Sequence, residues 1–74
     1  MKLSELNKGD RAIIKKIDSS EDLKMRLASF GVVRGSELSV EACSIGKQTM
    51  EIMVDDTFIG LRAEEAEEIE VEKI

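Results

Sequence analysis

The chain of 74 residues contains no histidine, tryptophan or tyrosine, and only one cysteine. Because histidine is the commonest general base, neither a Ser/His/Asp nor a Cys/His nucleophile system can be assembled from this sequence. The single thiol, Cys43, excludes an internal disulfide, and with it the small secreted proteins that such bridges hold together. The cysteine content is therefore typical of a protein in a reducing cytoplasm.

The same absences leave few ligands for a metal ion. A transition-metal site would depend on Cys43 and carboxylates, without imidazole and without a second thiolate, which is a poor donor set for zinc or for tightly bound ferrous iron. Glu41 and Ala42 precede this cysteine and offer no cation to activate it, so we interpret it as a small strand residue. We expect no cofactor and no metal site. The glutamates near the carboxyl end could attract hard cations weakly or form a solvated face, which we favour.

Phosphate-binding loops are absent as well. Gly31 and Gly35 lie four residues apart, but no Gly-x-Gly-x-x-Gly or Gly-Lys-Ser/Thr segment joins a strand to a helix. Gln48 follows Gly46 and Lys47 where a hydroxyl would be needed. Together with the missing nucleophile system, this predicts that the protein is not an enzyme.

Aromatic residues are limited to Phe30 and Phe58, and the net charge is −5. Most of the acidity lies at the carboxyl end, where residues 61–74 carry six glutamates against Arg62 and Lys73. An acidic chain repels phosphate backbones, and two phenylalanines offer no stacking platform for bases. We therefore expect no nucleic acid partner.

A small group of basic residues is the main counterweight to this acidity. It is either ordinary solvated surface, which we favour, or a docking patch. Its members are Arg11, Lys15, Lys16, Lys24 and Arg26.

The length of the chain bounds its architecture. We expect residues 1–74 to form one domain that buries only about 60% of its unfolded surface. The amino terminus has no apolar run typical of a signal peptide, and no segment approaches the length that spans a bilayer. We therefore expect a cytoplasmic protein that does not insert into the membrane.

Turn signals divide the chain into short segments of alternating apolar and polar residues. This pattern predicts a mainly β fold, a small β-barrel with one short helix inserted after the first strand. The predicted strands are 10–17, 37–43, 48–54, 57–62 and 69–71, with a helical turn over 63–67 and a leucine-containing turn over 3–6 beneath the barrel.

The helix is predicted over residues 21–30. Ser19 or Ser20 can cap its first turn, and Gly31 supplies the left-handed residue that ends it. An apolar stripe with i, i+4, i+7 spacing is assigned to the core. It consists of Leu23, Leu27 and Phe30.

Several segments, in this order and spacing, match one known family from Leu3 to Val71. They are Leu3-x-x-Leu6 with Gly9-Asp10, Arg26-Leu27, Phe30-Gly31, Gly35-Ser36-x-Leu38, Ile59-Gly60-Leu61-Arg62 and Glu65-Ala66-x-x-Ile69-x-Val71. Each is a structural motif, and their succession over the chain resembles the ferrous iron transport protein A family, FeoA. The chain departs from the family pattern by lacking proline in the turns at Lys8 and Arg34, and by having Asp55-Asp56 where glycine is frequent.

The resemblance implies an SH3-like β-barrel and a role in the cytoplasm. Members of the family are accessories of FeoB, the membrane ferrous iron transporter with a GTPase domain, and are thought to act by contact rather than catalysis. The FeoB-type transporter is thus the implied partner. Contact would tune its transport or GTPase activity.

We expect one face of the molecule to dock on the cytosolic region of this transporter. It comprises the helix and its exit, where exposed apolar residues beside a cation would provide anchor and orientation. The residues of this face are Met25, Arg26, Ser29, Val32 and Val33.

Other functions remain open at this point. The chain is also similar in fold to the carboxyl-terminal SH3-like domain of iron-dependent repressors, but such a domain works attached to a helix-turn-helix and a metal-binding domain, and we expect neither here. An RNA-binding barrel is disfavoured by the acidic balance and by the lack of stacking aromatics. Exposed edge strands leave a homo-oligomer open.

Overall fold

The computed structural model describes residues 1–74, which form five strands and two α-helices. The prediction of a mainly β chain with one helix after the first strand is confirmed, and strand ends differ from it by at most two residues. None of the helices has the length and apolar character that a transbilayer helix requires. In chain order the elements are β1 (Arg11–Ile17), α1 (Glu21–Ser29), β2 (Glu37–Cys43), β3 (Thr49–Val54), β4 (Thr57–Arg62), α2 (Ala63–Ala66) and β5 (Ile69–Lys73), with 3₁₀ turns at Leu3–Glu5 and Ile45–Lys47.

The strands form one antiparallel sheet in the order β4-β3-β2-β1-β5. Its register shifts twice, between Ile14 and Lys16 where β1 pairs with β5, and between Val40 and Ala42 where β2 pairs with β3. Such irregularities bend a strand and increase its twist. They help the sheet to curl, so that residues from both edge strands enter the same core.

The core is entirely apolar and consists of a single cluster. No polar or charged side chain is buried, so folding leaves no buried side-chain polar atom without a partner. Leu3 and Leu6 of the amino-terminal turn are fully buried, as predicted, and Leu6 is further held where its carbonyl accepts a hydrogen bond from Lys47 Nζ at 2.8 Å. The short amino-terminal segment is therefore part of the core.

Helix α1 begins at a serine cap and ends at a glycine. Ser20 Oγ accepts a hydrogen bond from the N–H of Leu23 at 3.4 Å, which decides between the two predicted caps. At the other end Gly31 has φ +83°, and the hydrogen bonds Gly31 N–H to Ala28 O (2.9 Å) and Val32 N–H to Leu27 O (2.9 Å) form a Schellman motif.

The assignment of Phe30 to the core was wrong. Phe30 is 46% exposed, whereas Val32, which was expected on the exposed face, is 0% exposed. The Schellman motif explains both results, because it reverses the chain after Phe30 and brings Val32 against Leu27. The buried apolar stripe of the helix is thus Leu23 and Leu27, and Val32 completes it from the loop.

The β1 strand is entered through a turn that a carboxylate stabilises. Asp10 Oδ2 accepts a hydrogen bond from the N–H of Asn7 at 2.8 Å. This bond favours the charged form and, with the nearby Lys73 ammonium, lowers the pKa of Asp10 below its ordinary value.

One substitution in the hairpin between β3 and β4 is expected to stabilise the protein. Asp55 and Asp56 both have positive φ, 48° and 65°, as a type I′ turn requires. Glycine adopts this conformation without the steric cost that a Cβ carries, so Asp56→Gly is expected to raise the free energy of unfolding by about 1 kcal/mol. That gain should raise the melting temperature by roughly 4–8 °C in calorimetry. Thr57→Gly, within β4, is the control and should lower the melting temperature. A lower melting temperature for Asp56→Gly would contradict the turn assignment.

Candidate functional site

On the predicted partner face, one side chain is buried, two form hydrogen bonds within the molecule and two are exposed and apolar. Met25 is 69% exposed, on the side of α1 opposite to Leu23 and Leu27, since successive residues turn by 100° around a helix. Val33, in the loop after the helix, is 48% exposed. Val32 is buried, so it cannot contact a partner without local rearrangement.

The two polar residues of that face form hydrogen bonds within the molecule. Arg26 Nη2 donates to Glu65 Oε2 at 3.1 Å, which ties α1 to α2. Ser29 Oγ donates to the carbonyl oxygen of Arg26 at 2.6 Å, a local helix bond. Only Met25 and Val33 of the five predicted residues are therefore both exposed and apolar.

A surface groove of about 470 Å³ lies between the end of β1, helix α1 and the loop that follows the helix. We call it the basic groove. Its lining contains four cationic side chains, three aliphatic ones and no carboxylate. The lining residues are Lys15, Lys16, Ile17, Lys24, Val32, Val33 and Arg34.

Most cations of the basic groove lack an ionic partner. Lys15 Nζ lies 3.1 Å from Glu72 Oε2, but Lys16, Lys24 and Arg34 form no ion pair within 4.0 Å. In a chain of net charge −5, three unpaired cations around one depression are a local reversal of sign.

The basic group inferred from the sequence is thus divided by the fold. Arg11 pairs with Glu37, and Arg26 with Glu65, away from the groove. Arg34, which was not in that group, lines the groove. No local pattern in the sequence links Arg34 to the lysines of the groove, because the loop that contains it is held against β1 by backbone hydrogen bonds.

The loop that lines the groove is fixed to β1 and to itself. Gly35 N–H donates to Ile14 O at 2.8 Å, and Ile14 N–H donates to Ser36 O at 2.9 Å. Ser36 Oγ accepts from the N–H of Val33 at 3.0 Å and donates to the carbonyl of Gly31 at 3.1 Å. The loop backbone is therefore held in place before any ligand binds.

Three other surface depressions, the largest of about 560 Å³, each have at least one carboxylate in the lining and so lack the uniform positive charge of the basic groove. The structure brings together no group of three or more cysteine, aspartate or glutamate side chains that could hold a metal ion. Cys43 is half-buried on β2, in keeping with the small strand residue expected from the sequence. The basic groove is thus distinguished by its cations, and exposed apolar side chains lie beside it at Val33 and elsewhere at Ile45 and Phe58.

Solved structures define the class of this fold. A FeoA protein from Chlorobium tepidum has 34% sequence identity and a TM-score of 0.94, over 100% of this chain and 70% of that chain. A FeoA from Stenotrophomonas maltophilia, solved with zinc and described as an SH3 domain protein, has 29% identity and a TM-score of 0.82, over 97% of this chain and 89% of that chain. The protein is thus an SH3-like barrel. A manganese-dependent transcriptional repressor (23% identity, TM-score 0.88, 99% of this chain and 40% of that chain) shares the fold alone.

Sequence comparisons identify the family within this class. The model of the FeoA domain matches residues 1–73. A Campylobacter jejuni protein named as an Fe(2+) transport protein A is 36% identical over 74 residues, the whole of both chains. A Porphyromonas gingivalis fusion of Fe(2+) transport protein A with the Fe(2+) transporter FeoB is 34% identical over 100% of this chain and 9% of the fusion protein. The chain belongs to the FeoA family, as its sequence motifs predicted.

Proposed function

We propose that this protein is a cytoplasmic accessory of bacterial ferrous iron uptake that acts by contact with the cytosolic region of a FeoB-type transporter. The observation that carries the proposal is the Porphyromonas gingivalis relative, in which the homologous segment and the transporter are one polypeptide. Fusion keeps two modules at a high effective concentration, which is useful where the modules must touch. Contact would tune the transport or GTPase activity of the partner.

Contact rather than catalysis suits the side chains that the fold presents. The chain has no histidine, and the cavities are surface depressions without a buried polar or charged side chain. Apolar residues that lie together on a surface can anchor a docked partner. Met25 and Val33 are such residues at the helix and its exit, and Phe30 is a further one that the sequence had assigned to the core.

The alternative role, as a regulatory domain like that of iron-dependent repressors, gains no specific support. The repressor neighbour shares the barrel at 23% identity, and that likeness concerns the fold. We therefore retain the transporter accessory as the proposed function.

The proposal predicts which exposed apolar residues matter for binding. Met25→Asp and Val33→Asp should each weaken binding to the cytosolic region of the FeoB-type transporter at least about tenfold, because a carboxylate would replace an apolar anchor in a desolvated contact. Titration calorimetry gives the affinity, and GTP hydrolysis with and without the protein gives the effect of contact on the transporter.

Ile45→Asp is the matched control for these variants. Ile45 is 100% exposed, in the 3₁₀ turn between β2 and β3, so its replacement makes the same chemical change outside the proposed face. Its affinity should stay within about twofold of the unchanged protein. The face would be wrong if both Met25→Asp and Val33→Asp bound normally, and the function would be wrong if the unchanged protein neither bound the transporter nor altered its GTPase rate.

A further inference from the structure

We propose that the basic groove binds an acidic peptide segment that carries an aliphatic side chain among its carboxylates. The cations Lys16, Lys24 and Arg34 would pair with the carboxylates, and the aliphatic side chain would lie against Ile17 and Val33. The inference depends on the proposed function only for the identity of the protein that contains this segment.

Charge complementarity is the first argument for this occupant. The lining of the groove contains four cations and no carboxylate, and three of the cations have no partner in the molecule. Because the whole chain carries −5, the net charge repels an acidic ligand, whereas the cations of this depression attract it. Electrostatic attraction therefore favours binding of the acidic segment at the groove and speeds its association.

The aliphatic part of the lining is the second argument. Ile17 is half-buried, Val33 is 48% exposed, and Val32, which is buried, also lines the groove. The groove volume, about 470 Å³, lies within the range of about 300–1,000 Å³ that is common for ligand sites. A purely polar ligand would leave this apolar surface in water, whereas an aliphatic side chain would bury it.

The backbone of the loop argues against a phosphate ligand. Phosphate sites commonly use several free backbone N–H groups at a nest or a helix amino terminus. Here the N–H groups of Val33, Gly35 and Ser36 already donate to Ser36 Oγ, Ile14 O and Val33 O. Separate side-chain cations on a fixed backbone suit carboxylates spaced along a peptide.

The fixed loop reduces the entropy that binding would otherwise cost. Ser36 bridges Val33 N–H and Gly31 O, and Gly35 is bonded to β1. Binding then costs only the conformational entropy of the peptide and of the long side chains of the three unpaired cations.

The experiment measures binding of a dye-labelled peptide, in which leucine is flanked by glutamates, by fluorescence anisotropy. Lys24→Glu and Arg34→Glu should each weaken binding at least about tenfold, and affinity should fall as salt rises because the pairs are solvent-accessible. Lys8→Glu is the matched control, since Lys8 is exposed, unpaired and outside the groove and its reversal changes the net charge equally. Its affinity should change less than about twofold. A version of the peptide with alanine in place of leucine should bind more weakly.

Four results would overturn the inference. One is an equal loss with Lys8→Glu, which would indicate attraction to net charge alone. Another is full displacement of the peptide by inorganic phosphate at millimolar concentration, which would indicate a general anion site. A third is self-association of the unchanged protein that both the peptide and Arg34→Glu abolish, since the occupant would then be a second copy. The last is no measurable binding at low salt.

Binding to the transporter separates this inference from the proposed function. If the unchanged protein binds the cytosolic region of the transporter and Lys24→Glu and Arg34→Glu bind it equally well, the groove is not the contact and the proposed function stands. If the unchanged protein binds the labelled peptide but not the transporter, the groove assignment stands and the proposed partner is wrong.

Discussion

Val32→Asp is expected to remove a large share of the protein's free energy of unfolding at 25 °C. Val32 is fully buried against the core and belongs to the Schellman motif that ends α1, so an aspartate there would replace apolar core packing by a carboxylate that loses its hydration. The expected loss exceeds about 4 kcal/mol. A chain of 74 residues has a total free energy of unfolding of only about 4–11 kcal/mol.

The neighbouring residue provides the control for this prediction. Val33→Asp makes the same substitution at an exposed position and should change the free energy of unfolding by no more than about 0.5 kcal/mol. Urea denaturation followed by circular dichroism measures both. Equal stability of the two variants would show that Val32 is not buried, and the reversal of the chain after Phe30 would be wrong. The contrast also explains why Val32 is unsuitable for mapping a partner, since its loss of binding would follow from unfolding.

Leu6→Ala is expected to cost about 2–5 kcal/mol of the free energy of unfolding. Leu6 lies only five residues from the amino terminus, in a region where chains are commonly frayed, yet its side chain is fully buried beneath the sheet. Truncation would leave a cavity that neighbouring strands can fill only in part. The hydrogen bond that the Lys47 side chain donates to the Leu6 carbonyl would remain, so the measured loss reports on packing.

Phe30→Ala is the informative comparison for the leucine variant. By size, phenylalanine would be the more damaging residue to truncate in a core, but Phe30 is exposed at the end of α1, so we expect a loss below about 1 kcal/mol. Thermal unfolding by calorimetry compares the two variants. A larger loss for Phe30→Ala than for Leu6→Ala would restore the core assignment made from the sequence.

At the end of α1 the sequence pattern predicted the helix correctly but assigned one residue too many to its buried stripe. The spacing of Leu23 and Leu27 and the position of Gly31 correctly predicted the helix, its buried side and its end. Phe30 fitted the same spacing, but helical periodicity applies only while the helix continues. The residue after a left-handed glycine commonly packs back on the last turn, so Val32 was recoverable from the sequence by that rule.

The basic groove was beyond sequence reasoning of this kind. Lys16 and Lys24 were seen as members of a basic group, but their lack of partners depends on which glutamates come near in space. Glu72 reaches Lys15 because β5 pairs with β1, and Glu65 on α2 reaches Arg26 across 39 residues of the chain. Arg34 joins the groove because hydrogen bonds between the loop and β1 carry it there.

The sequence by itself determined the number, type and order of the elements, the family, and the absence of histidine chemistry. Periodicity, caps and turn residues act over a few neighbouring positions, so they can be read along the chain. The tertiary structure decided that Val32 is buried while Phe30 is exposed, and that three cations stay unpaired around one groove. Burial and charge neutralisation depend on distances in space between residues that are remote in the chain, and only the folded sheet fixes those distances.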